Sequence, residues 1–287
     1  MSTKAYTPQQ QRQAELMLLF LTMIWGSSFI VIRIALPYVG TFTLLSLRFI
    51  IGFVALFAVF FGRMRRITHA DVKAGVILGC LFFLGNVLQT SGLRSTNAGV
   101  SGFITALSVV MVPPIARMVL RQQPSRGAII GIVLATVGLA LLTLNESLTL
   151  GYGELLTLGC AVVFALHIVY TSKYAAHTEP TVMVSVQLVL ASVAAVIMAA
   201  TTETIGVLSN DVLLAGLYLG LLPTAFCFVL QVYGQRVTTA TRAALMFTAE
   251  PVFAALFAFL VAGEVLSPRG LVGCVLILGG MLAAELP

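Results

Sequence analysis

Apolar residues in this chain neither alternate with a strand's period of two nor gather into one helical stripe. They run on in continuous blocks of about 20 residues, separated by short polar segments. The blocks fall near 15–36, 41–62, 73–93, 98–120, 127–145, 152–174, 181–201, 212–235, 241–263 and 268–286. Each is long enough, or nearly so, to cross about 30 Å of hydrocarbon, so the pattern predicts ten transmembrane helices. The connections, such as "PYVGT", "GRMRRITHAD" and "RSTNAG", are too short for a soluble domain. A transmembrane barrel is excluded, because its segments of about 10 residues would alternate in polarity.

Composition supports this reading. The 287 residues are 59% hydrophobic and 9% charged, with a mean hydropathy of +1.05. The net charge of +6 does not indicate nucleic acid, because the basic residues lie in short loops and form no separate domain. They do set an orientation. With the N-terminus cytoplasmic, Lys4, Arg12, Arg63, Arg65, Arg66, Lys73, Arg117, Arg121, Arg126, Lys173, Arg236 and Arg242 face inward, against only Arg94 and Arg269 outward. Both termini are therefore expected inside, with Glu146, Glu154, Glu203 and Asp211 outside. The first apolar run is too long for a cleaved signal and reads as a first span. Cys80, Cys160, Cys227 and Cys274 lie inside apolar runs without metal-ligand spacing, so they read as small buried hydrophobes and no metal or other cofactor is expected.

The two halves repeat. "LQTSGLRSTNAG" (88–99) aligns with "LQVYGQRVTTAT" (230–241) at an offset of 142, which also pairs Gly131 with Gly273 and Gly138 with Gly280. At an offset of 139, Trp25 meets Phe164 and Arg48 meets Gln187. The chain divides into a cytoplasmic tail (1–14) and five-helix repeats at 15–146 and 147–287. An odd number of helices inverts the second copy in the membrane. Inverted repeats are typical of secondary transporters, whose sites lie at midplane where the repeats meet. The Gly127/Gly131/Gly138 and Gly270/Gly273/Gly279/Gly280 faces suit close helix packing.

The stretches "IWGSSFIVIRIALPYVGTFTLLSLRFIIG" and "ATRAALMFTAEPVFAALFAFLVAGEVLSPRGLVGCVLILGG" resemble the two halves of the drug/metabolite transporter superfamily. The similarity is to its ten-helix, two-repeat exporters of amino acids and other metabolites, the aromatic amino acid exporter type among them. It rests on Trp-Gly-Ser in span 1, Arg-Phe in span 2, Glu-Pro in span 9, Gly-Glu at its end and a Gly-rich span 10. The resemblance implies a central cavity lined by spans 1, 3, 4, 6, 8 and 9, with spans 5 and 10 packing the halves together.

Mid-depth residues on those spans are the candidate cavity wall: Trp25 and Ser27; Asn86 and Gln89; Phe103 and Ser108; Phe164, His167 and Tyr170; Phe226; and Glu250. Ser28, Thr90, Thr105, Gln231, Tyr233, Met246 and Thr248 share that depth. Asn86 and Gln89 share a helical face, as do Phe164, His167 and Tyr170. The alternative is that such polar groups bond a neighbouring helix instead. Trp25 is the only tryptophan, and at mid-depth it needs a protein or cavity partner. Glu250 is costly at mid-bilayer and so a functional candidate. Beside Pro251, it can exchange a proton, hold a substrate ammonium, or pair structurally. His167 is a second candidate for proton coupling. Arg33 is expected to snorkel outward, Arg48 to pair with an acid or bind a carboxylate on the outer side, and Glu264 to sit at the hydrated outer end of span 9.

These features predict a secondary transporter of a bacterial inner membrane that exports small metabolites, with amino acids first among substrates. The alternative is a proton-coupled exporter of cationic or aromatic drugs. Without HExxH, Gly-x-Ser-x-Gly or P-loop sequences, an enzyme is not expected. The partners expected are a small-molecule substrate and the lipid bilayer, not nucleic acid or an obligate second protein, with the chain a monomer or homodimer.

Overall fold

The computed structural model describes residues 6–96, 98–143, 151–204, 206–262 and 266–284, and among these the chain is helical without strands. Three whole spans open the fold: α1 (Pro8–Ala35), α2 (Thr41–Met64) and α3 (His69–Leu93). The fourth is broken into α4 (Ala98–Ala106) and α5 (Ser108–Leu120), and the fifth is α6 (Arg126–Thr143). The second half gives α7 (Tyr152–Ala175) and α8 (Pro180–Thr202). Its eighth span is α9 (Asn210–Leu219), a π-helical segment (Gly220–Phe226) and α10 (Cys227–Val237). The ninth is broken into α11 (Ala240–Phe247) and α12 (Glu250–Ala262), and α13 (Pro268–Ala283) is the last. Among the described residues, eight spans are long and apolar enough to cross a membrane, and α6 and α13 are shorter apolar helices.

Local chemistry sets the ends. Thr7 and Gln10 form a reciprocal cap at the start of α1, as do Thr68 and Asp71 at α3. Proline stands at the first turn of α1, α8 and α13, where its missing N–H costs nothing.

The repeat visible in the sequence is also a repeat of contacts. The Arg94 guanidinium donates to the Thr41 hydroxyl (2.6 Å) and the Val39 carbonyl (3.0 Å). Arg236, its repeat equivalent, donates to the Ala175 carbonyl (2.7 Å) and to the carbonyl of Thr178, the equivalent of Val39. Thr238 donates to Glu15 at 3.0 Å, and the equivalent Thr96 donates to the equivalent Glu154. The same tie is thus made at both ends of the bundle.

The last helix of each half crosses its counterpart where glycines remove the side chains. A Cβ on Gly138 would lie 2.6 Å from the Gly273 carbonyl oxygen, and one on Gly280 2.5 Å from that of Gly131. Gly279 faces open space and Gly270 makes only ordinary contacts, so four glycines of the two stripes form the seam. α6 and α13 join the halves there and leave the middle of the other spans to surround a cavity.

Candidate functional site

Beside Trp25, Gly26 lets α1 approach α12. A Cβ there would lie 2.8 Å from Phe253 Cβ and 2.9 Å from both the Ala254 nitrogen and the Glu250 carbonyl oxygen. The indole N–H of Trp25 donates to the Pro223 carbonyl (2.8 Å) in the π-helical segment. Its ring packs against Phe228 and Phe247, with centroids 5.3 and 5.2 Å away. This is the partner that a mid-depth tryptophan requires. Phe228 continues the aromatic cluster to Phe82 and His167.

These groups wall a central cavity with about 100 Å³ open to the centres of water molecules, room for several waters or a small solute. Span 1 contributes Trp25, Ser28, Phe29 and Ile32, and span 3 contributes Asn86 and Gln89. The broken span 4 adds Gly102, Thr105, Ala106 and Ser108. From the second half come Phe164, His167 and Ile168, then Phe228 and Gln231, then Ala244, Phe247, Thr248, Glu250 and Pro251. Span 2 contributes Arg48, an addition to the six spans expected from the family resemblance.

The wall follows the repeat. Nine first-half positions line the cavity together with their repeat equivalents: 25 with 164, 28 with 167, 29 with 168, 86 with 228, 89 with 231, 102 with 244, 105 with 247, 106 with 248, and 108 with 250. The cavity therefore sits on the pseudo-twofold axis. The chemistry of the halves has diverged, and the two glutamines are the only identical pair. Each half also breaks its fourth helix at the same place, so that α5 starts at Ser108 and α12 starts at the equivalent Glu250. Backbone hydrogen bonds continue across both breaks, from the Leu107 N–H to the carbonyls of Phe103 and Ile104 and from the Thr248 and Ala249 N–H groups to those of Leu245 and Met246, so each break is a local tightening of the helix beside the cavity.

Arg48 is buried. It donates from Nε to Thr224 Oγ1 (2.6 Å) and from a terminal nitrogen to Asn86 Oδ1 (3.3 Å). Asn86 in turn donates to the Phe82 carbonyl (2.8 Å), which fixes its oxygen toward the arginine. Glu250 lines the same cavity, but among the described residues it makes no ion pair with Arg48. The cavity thus presents a guanidinium and a carboxyl group that are not paired with each other. His167 is buried, with Nε2 3.2 Å from Gln187 Oε1.

Of the eleven positions proposed from sequence, Trp25, Asn86, Gln89, Ser108, Phe164, His167 and Glu250 lie on the cavity wall. Four do not. Ser27 points away, donating to the Ile24 carbonyl (2.6 Å) and meeting the Tyr218 hydroxyl. Phe103 packs into the apolar core. Tyr170 stacks on Tyr174 with Lys173 over its ring. Phe226 is 43% exposed on the outside of the bundle. Of the two expectations for Arg48, pairing with an acid is not met among the described residues, where its hydrogen-bond partners are a hydroxyl and an amide. Glu264 and Glu146 lie outside the described residues. The repeat offset is the signal that separates these cases. Ser27, Phe103, Tyr170 and Phe226 map onto Leu166, Leu245, Val31 and Leu84, all apolar positions away from the cavity.

Comparison with known proteins agrees with this architecture. The model of the EamA-like transporter family matches residues 12–144 and again 151–284. An uncharacterized transporter of Archaeoglobus fulgidus is 32% identical over 273 residues, covering 95% of this chain and 86% of its own. The uncharacterized transporter YoaV of Bacillus subtilis is 22% identical over 269 residues, covering 91% and 92%. A solved structure, described only as a crystal structure of protein, superposes with a TM-score of 0.80 at 19% identity, covering 96% of this chain and 97% of that one. It shows the fold alone.

Proposed function

The chain belongs to the EamA-like transporter family, a two-repeat transporter of the drug/metabolite superfamily, and on that premise we propose that it exports amino acids by alternating access through the central cavity. The observation that carries this reading is the disposition of Arg48 and Glu250, a guanidinium and a carboxyl group on one cavity that make no ion pair among the described residues. A zwitterion completes both. Its carboxylate meets Arg48, held by Asn86 and Thr224, and its ammonium meets Glu250. An apolar or aromatic side chain then lies against Trp25, Phe164, Phe228 and Phe247. In this reading both termini are cytoplasmic, the repeats of 15–146 and 147–287 rock against each other, and the protein resides in the inner membrane of a bacterium as a monomer or homodimer.

A hydrogen bond to a charged group contributes about 1.5–3 kcal/mol, so losing either charge weakens binding roughly 10- to 150-fold. Titration of purified protein with amino acids tests this. Arg48→Gln and Glu250→Gln variants that fold normally should each lose affinity on that scale. Wild-type affinity in both variants would refute the assignment.

The second reading, a proton-coupled exporter of cationic or aromatic compounds, draws on the same unpaired Glu250. It requires Glu250→Gln to abolish the pH dependence of transport. An unchanged pH profile removes coupling through this residue.

A further inference from the structure

Seven buried side-chain oxygen or nitrogen atoms lack a hydrogen-bond partner among the described residues. An unmet buried polar group costs about 1–3 kcal/mol, so each invites a reason. Two of the seven are Thr171 Oγ1 and Gln187 Nε2, on residues only 1% exposed. Both belong to the second half, on α7 and α8. Their repeat equivalents are Ile32 and Arg48, and both of these line the cavity. The cavity follows the twofold over nine position pairs and departs from it here. It reaches Ile32 and Arg48 in the first half and stops short of Thr171 and Gln187 in the second.

We propose that Thr171 and Gln187 form a second polar wall, which contacts the substrate in the opposite-facing state of the cycle. The inference rests on the transporter reading above. In an inverted repeat, exchanging the conformations of the two halves turns one facing of the cavity into the other. The cavity then extends along the second half to Thr171 and Gln187, while Ile32 and Arg48 are sealed. The unmet polar atoms are the mark of that change: they are dry in the described state and gain water or substrate as partners in the other. The chemistry of the wall changes with it. The first-half wall offers the Arg48 guanidinium. Its second-half equivalent offers an uncharged amide at Gln187, with the hydroxyl of Thr171. A carboxylate held by a cation in one state is held by neutral donors in the other, and loses affinity as the cycle turns. Release is thereby favoured on the side to which the second wall opens.

Thiol accessibility tests the proposal without knowing the substrate. Ile32→Cys, Thr171→Cys and Gln187→Cys are each labelled with a membrane-impermeant maleimide in right-side-out and inside-out vesicles, with the parent chain as control for its own cysteines. Ile32→Cys should react in one preparation only. Thr171→Cys and Gln187→Cys should react in the other, roughly 10- to 1000-fold more slowly if that state is the minor one. Reaction from the same face as Ile32→Cys, from both faces, or at neither face within a thousandfold of the Ile32→Cys rate overturns the proposal, as does failure of Ile32→Cys to react. Only variants that purify as folded, monodisperse protein are scored, and two independent second-half positions guard against loss of one. Failure here leaves the amino acid reading standing, because substrate is read by binding and access by labelling.

Discussion

Replacing Gly26 by alanine is a direct perturbation of the site from outside the cavity. The added methyl would sit 2.8–2.9 Å from three atoms of α12, two of them backbone, where ordinary contact is 3.4–4 Å. Backbone cannot rotate aside, so α1 must withdraw by roughly 0.5–1 Å, which forfeits a quarter to a half of each dispersion contact along the seam. Overpacking of this kind costs about 1–3 kcal/mol. The Glu250 carbonyl is one of the struck atoms and Trp25 is the adjacent residue, so the strain enters the cavity wall. Gly62→Ala is the control, since a Cβ there meets nothing within 4 Å. Both variants gain the same helix propensity, about 1 kcal/mol, so the difference between them isolates the contact. Thermal unfolding in detergent can be followed by fluorescence of the single tryptophan, Trp25 itself. Gly26→Ala should melt below Gly62→Ala and emit with a shifted maximum. Equal melting and unchanged emission would refute the close approach of α1 and α12.

Further outcomes follow from named contacts. Trp25→Phe loses the bond to Pro223 and should cost about 1 kcal/mol, whereas Trp25→Ala should cost about 3–5 kcal/mol; equal melting temperatures would contradict that bond. Glu15 is buried and paired with Arg242 (3.0 Å) and Thr238. Because Arg242 keeps some solvent access, Arg242→Ala should cost about 1–3 kcal/mol, below the range for a fully buried pair, again read by melting. Ser27→Ala and Phe226→Leu lie off the cavity wall and should leave substrate affinity within twofold of wild type, as measured by titration; a loss at either would return that residue to the wall.

The run of apolar blocks made the helical membrane fold legible, because in hydrocarbon every backbone polar group must be met within the helix. The offsets of 142 and 139 made the inverted repeat legible, and the glycine seam of α6 and α13 with it. Rotation about each helix was less legible. Neighbouring residues point about 100° apart, so Ser27 and Ser28 share a depth while only Ser28 reaches the cavity. Phe226 and Phe228 differ in the same way. Arg48 lies about two turns from the start of α2, a depth that reads as a place to pair with an acid or to bind a carboxylate on the outer side. Nothing in the local sequence says that span 2 turns this face to the cavity. The break at Leu107 was hidden because Pro113 and Pro114 lie more than a turn beyond it, whereas the second is marked by Glu250–Pro251, which puts proline in the first turn of α12.

The most direct test of the central claim, that this cavity carries amino acid zwitterions, is counterflow in proteoliposomes. Liposomes loaded with unlabelled amino acid are diluted into traces of the labelled compound, across aromatic, aliphatic and small polar members. Amines lacking the carboxylate and acids lacking the ammonium serve as comparisons. The account predicts transient accumulation of amino acids, strongest for aromatic ones, and little of the analogues that leave Arg48 or Glu250 without a partner. Folded protein that accumulates no amino acid, or accumulates the amines equally well, would contradict it.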